Sequence, residues 1–145
     1  MDPLSITASV IAITTAAAQV GNGLARLAAL RGAPDLIMAL QNEVNDLLGL
    51  VHSNRTILDR HIVLGGQYGN VHGLPPELVG VKSLLDRAEK MLNDINELVE
   101  TKLTDSKGGF SKIGYLKEQS KLVNAKNGLR DIRMEVANGI GLMNS

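Results

Sequence analysis

The chain has 145 residues, no net charge, no cysteine and no tryptophan, with two tyrosines and one phenylalanine. That length fits one domain burying roughly two-thirds of its unfolded surface. With so few aromatics the core falls mainly to Leu, Ile, Val, Ala and Met, which suits helix-on-helix packing. Zero net charge argues against a nucleic-acid binder, and the missing cysteines exclude disulfides, thiolate metal sites and cysteine nucleophiles. A cytoplasmic setting fits that cysteine count, and Met1-Asp2 lacks the basic opening of a signal peptide.

Pro3 to Ala25 contains no charged residue, although about one-fifth of the chain is Asp, Glu, Lys or Arg. Ile6, Val10, Ile13, Ala17, Val20, Leu24 and Leu27 recur at spacings of four and three, which predicts a helix over 3–30. Its other side carries Ser5, Ala8, Ser9, Ala12, Thr15, Ala16, Gln19, Asn22 and Gly23, where a surface helix normally places Lys and Glu. Asp2-Pro3 is a suitable start, and Gly32 a suitable stop.

A second helix is predicted over 35–64, with Pro34 in its first turn. Ile37, Leu40, Val44, Leu47, Val51, Leu58 and Ile62 keep the pattern, Asn54 interrupts it, and Gly49 weakens its middle. Gly65 to Gly73 reads as a loop. Pro75-Pro76 opens a third helix over 76–103, the cleanest amphipathic stretch, carrying Val81, Leu85, Ala88, Leu92, Ile95 and Val99. After a break around Gly108-Gly109, where Phe110 is a candidate anchor, a fourth helix is predicted over 112–138. Tyr115, Leu122, Leu129 and Val136 form its heptad seam, and Gly139 and Gly141 are its expected stop.

These elements predict an all-α fold, an antiparallel four-helix bundle about 40 Å long in which residues 1–145 form a single domain. Residues 65–105 sum to −3 and residues 106–145 to +4. Neighbouring third and fourth helices would set Asp86, Glu89, Glu97 or Glu100 against Lys117, Lys121, Lys126 or Arg130.

The residues give little reason to expect an enzyme. His52 and His61 stand nine apart, too far for the i, i+4 pairing of a helical metal site, and His72 lies in the loop. The carboxylates fall on solvated helix faces rather than in an apolar cleft. The glycine-rich loop has no GK[ST] ending to cradle a phosphate. No cofactor or metal is expected. Lys117, Lys121, Lys126, Arg130 and Arg133 are candidate contacts to anionic lipid or a partner, though they do not share one stripe.

The first helix admits two readings. One makes it the central helix of the bundle, its Ala, Ser and Gly letting neighbours approach. In the other it also enters a bilayer conditionally, since twenty-three residues span about 35 Å against a hydrocarbon core of about 30 Å. Ala8, Ala12 and Ala16 form the small-residue row that membrane helices use to associate. The candidate membrane or oligomerisation residues are Leu4, Ile6, Ser9, Val10, Ile13, Ala16, Ala17, Val20 and Leu24.

Met1-Asp2-Pro3-Leu4-Ser5-Ile6-Thr7-Ala8-Ser9-Val10-Ile11-Ala12 and the Ala-rich run to Val20 resemble the opening of the fungal N-terminal domain of STAND (NLR-like) proteins, related to the HeLo and HeLo-like cell-death domains. Ala33-Pro34 with Leu40, Glu43-Val44 and Leu47 resembles the second helix of that family, and Leu116-Lys117-Glu118 with Leu122 and Leu129 its last long helix. The resemblance implies a non-catalytic signalling module at the N-terminus of a larger receptor in immunity or heterokaryon incompatibility. It further implies self-association and insertion of the first helix into the plasma membrane. A soluble adaptor, binding another helical domain through its third and fourth helices, is the alternative.

Overall fold

The computed structural model describes residues 3–58 and 76–144, with side chains over 7–58 and 79–142. It is all-α. The four long helices are α1 (Pro3–Ala28), α2 (Asp35–Ser53), α3 (Pro76–Thr101) and α4 (Lys112–Asn144). A further helical turn covers 55–58.

Each helix buries the stripe its spacing dictates. Val10, Ile13, Ala17, Val20, Leu24 and Leu27 of α1 meet Ile37, Leu40, Val44 and Leu47 of α2, Leu85, Leu92 and Val99 of α3, and Leu122, Leu129 and Val136 of α4 in one aliphatic core. Phe110 packs against that core, its ring centroid 5.8 Å from that of the buried Tyr115. Such side chains carry no polar atoms to satisfy, so burial of area is what holds the helices together.

The pairings define a helical bundle. α1 packs against α2 and α3, and α4 against α3 and α2. Their directions follow from individual contacts. Ser9 bonds to Asp86, and Gly23 faces Val99, so α1 and α3 ascend together. Gly128 faces Met91, Gly139 faces Val81 and Gly114 lies on the Lys102 carbonyl, so α3 and α4 run oppositely. Those three glycines let α3 and α4 approach. A Cβ at Gly114 would stand 1.7 Å from the Lys102 backbone oxygen, and one at Gly139 2.8 Å from Val81.

Several boundaries differ from the sequence expectation, and α3 also ends early, at Thr101 rather than 103. α1 ends at Ala28, short of the expected 30, and Gly32 turns the chain beyond it at φ 83°, while Pro34 is the N-cap of α2 and lies outside its first turn. α2 ends at Ser53, short of 64, because Asn54 leaves the helical conformation and turns its amide Nδ2 back to the Leu50 carbonyl at 2.9 Å. The stretch 59–64 and the loop at 65–73 lie outside the described residues. α4 does not stop at Gly139 and Gly141 but continues to Asn144. Helix propensity alone makes glycine costly by about 1 kcal/mol. The close approach of Gly139 to Val81 accounts for one of the two exceptions.

The expected ion pairs across α3 and α4 are not formed among the described residues. Asp86 pairs with Lys82 and Lys121 with Glu118, each within its own helix, while Arg133 reaches Glu43 on α2 at 3.3 Å.

Candidate functional site

The α1 helix divides lengthwise into a packed side and a wet side. Ser9, Val10, Ile13, Ala16, Ala17, Val20 and Leu24, all singled out from the sequence, are buried. The side chains of Leu4 and Ile6 lie outside the described residues. Ala8, Ile11, Thr15, Ala18, Gln19 and Asn22 are exposed, at spacings of three and four, and Ile11 is 52% exposed. The stretch Thr7–Ala28 is long and apolar enough to cross a membrane, and 44% of its apolar window is buried in the bundle. The small row Ala8, Ala12, Ala16 therefore winds from the wet side into the packed one.

Ser9 is the buried polar residue of α1, and its hydroxyl donates to Asp86 Oδ1 of α3 at 2.6 Å. The other carboxylate oxygen receives Lys82 Nζ. Partial burial pushes the Asp86 carboxyl up, but the bonds from Lys82 and Ser9 and the Lys82 charge outweigh it, holding it below its ordinary value. The bond ties the opening turns of α1 to α3 through one buried hydroxyl and one exposed carboxylate. Farther along, Gly23 lies against Val99 and Gly21 against Asn45 and Val44, so α1 is clasped by α2 and α3 at once.

On α4, Lys117, Lys121 and Arg130 are exposed, whereas Lys126 and Arg133 are half-buried. Arg133 is occupied by Glu43 and Lys121 by Glu118. The structure does not gather these five cations into one patch. Between α3 and α4 lies a cleft of about 400 Å³, lined by Asp94, Glu97, Leu98, Thr101, Lys102, Glu118 and Lys121. It continues into an apolar stretch over Met91, Ile95 and Ala125. No three His, Asp or Glu side chains converge among the described residues. His52 is exposed, and His61 and His72 lie outside the described residues.

Two features escaped the sequence reading. One is the Ser9–Asp86 bond, which joins positions 77 apart and has no local signature. The other is Ile113 and Leu116, exposed at 70% and 61% on the first turns of α4. Their offset from the Tyr115–Leu122–Leu129 seam was a readable signal.

The chain matches no protein-family model, no curated protein and no solved structure.

Proposed function

We propose that the chain is a non-catalytic signalling module of the HeLo-like kind, the N-terminal domain of a fungal NLR-like receptor, which acts by self-association and conditional release of α1 toward a membrane. In this reading its four long helices form one antiparallel bundle, successive helices alternating in direction, as the resting state in the cytoplasm.

The observation that carries the reading is the wet side of α1. Burial explains why Val10, Ile13, Val20 and Leu24 are apolar. It does not explain why Ala8, Ile11, Thr15, Ala18, Gln19 and Asn22, all exposed, include no charge over four turns. A charged residue there would cost the resting fold little. It would cost a bilayer or a helix–helix assembly several kcal/mol. The uncharged circumference thus fits a second state in which water is removed from all of α1. Clustering would raise the local concentration needed for that state.

Ser9→Ala, which loosens α1 from α3, should release contents from phosphatidylserine-containing vesicles faster than wild type. A soluble stoichiometric complex with a helical partner, with no leakage from either protein, would favour the adaptor instead. The cleft between α3 and α4, with its apolar floor at Met91 and Ile95 and charged rim, is where that partner would bind.

A further inference from the structure

We propose that the end of the bundle made by the α3–α4 turn and the first turns of α4 is a docking surface for an anionic membrane, on which the domain rests fully folded. Ile113 and Leu116 are neighbours at i, i+3 and among the most exposed large apolar side chains described. Lys112 and Lys117 flank them in sequence, Lys107 stands in the preceding turn, and Lys102 and Lys121 line the neighbouring α3–α4 cleft with Asp94, Glu97 and Glu118, all five lysines being exposed.

The acids of this segment are outnumbered by its lysines, Asp105 and Glu118 standing against Lys107, Lys112, Lys117 and Lys121. Asp105 spends its carboxylate on its own loop, Oδ1 accepting from the backbone amides of Lys107 at 2.9 Å and Gly109 at 2.7 Å. The Glu118 side chain is 14% exposed and turned to Lys121. Lys102, Lys107, Lys112 and Lys117 are in no ion pair among the described residues. The α4 N-terminus adds the positive end of its dipole, and its first turn holds no acid. Because Gly23 sits beside Val99, the end of α1 points the same way, bringing the exposed Arg26 and Arg31 to this end of the bundle.

The chemistry selects the occupant. An acidic peptide would answer the lysines and leave Ile113 and Leu116 in water. An anionic bilayer answers both, its headgroups meeting the ammonium groups and its acyl boundary the two aliphatic side chains. Phe110 and Tyr115 pack behind this end, tying it to the core. The proposal shares the membrane with the function above but not its mechanism, since the opening turns of α1 lie at the opposite end.

Co-sedimentation of the 145-residue chain with vesicles of phosphatidylcholine and phosphatidylserine in equal parts tests it. Binding is expected there, weakened by salt, and not with phosphatidylcholine alone. Ile113→Ser with Leu116→Ser should weaken it about tenfold, the aliphatic contribution to interfacial binding. Lys107→Gln, Lys112→Gln and Lys117→Gln together should weaken it by about tenfold or more. Lys126→Gln with Arg130→Gln should change it less than about twofold. Circular dichroism should be unchanged throughout, these side chains being exposed or half-buried. No binding by wild type, equal binding by the Ile113/Leu116 variant, or binding to polyglutamate in place of vesicles would overturn the proposal. Vesicle binding without leakage would leave docking intact and remove α1 insertion. Leakage undiminished in the Ile113/Leu116 variant would do the reverse.

Discussion

The α1 and α4 helices use opposite solutions for a long helix on the same core. The α4 helix keeps a narrow seam of Tyr115, Leu122, Leu129, Ile132 and Val136 and spreads Lys, Arg, Glu and Asp over an outside that also exposes Ile113, Leu116, Met134 and Leu142. The α1 helix buries a similar seam yet leaves its outside uncharged until Arg26. Burial therefore accounts for the seam of α4 but not for its exposed Ile113 and Leu116, and on α1 it leaves the whole uncharged exterior unexplained. What distinguishes α1 is the chemistry of its exposed positions rather than its buried ones.

The comparison breaks most sharply on truncation. Leu24→Ala on the packed side of α1 should cost about 3 kcal/mol. Leu116→Ala on the wet side of α4 should cost under about 0.5 kcal/mol. Urea midpoints of the two variants check this, and equal losses would mean that the wet side is covered. Gly114→Ala should cost about 2 kcal/mol or more, because the new methyl meets backbone that cannot move aside. Ser9→Ala should cost about 1 kcal/mol by leaving Asp86 with Lys82 alone. Since the folded Asp86 carboxyl titrates below its ordinary value, its contribution is full above the unfolded Asp value of about 3.9. It is lost as pH falls through the lowered folded value. Asp86→Asn should therefore flatten the acid limb of the stability–pH curve, as thermal melts through that range would show. The smallest effect is a gain. Gly141→Ala enters open space inside a helix and should stabilise by roughly 0.5–1 kcal/mol in the same urea titration.

Much of the helical plan was legible because aliphatic spacing depends only on neighbours three and four residues away. The buried stripes follow from it, and the starts at Pro3, Asp35 and Pro76 from the prolines at or beside them. The misread stops at Gly139 and Gly141 did not follow, because glycine marks both helix ends and close helix approach. Contact with Val81 decides the matter at Gly139, and that contact is tertiary. The same limit hid the Ser9–Asp86 bond and the pairing of Lys121 with Glu118 of its own helix rather than with α3. For the candidate site, the absence of charge on α1 could be read directly. Which of its uncharged residues meet water could not, and Ser9 and Ala16 prove to be buried while Thr15 and Asn22 are exposed.

That division selects the decisive variant. A charge at Ser9 would disrupt the bond to Asp86, whereas Thr15 is exposed in the resting fold, so Thr15→Glu should shift the urea midpoint by less than about 0.5 kcal/mol equivalent. The measurement is dye release from phosphatidylserine-containing vesicles by wild type and Thr15→Glu at matched concentration. Release by wild type and little by the variant, with both equally folded, is the outcome this account predicts. Equal release by the two proteins, or none by wild type, would contradict it.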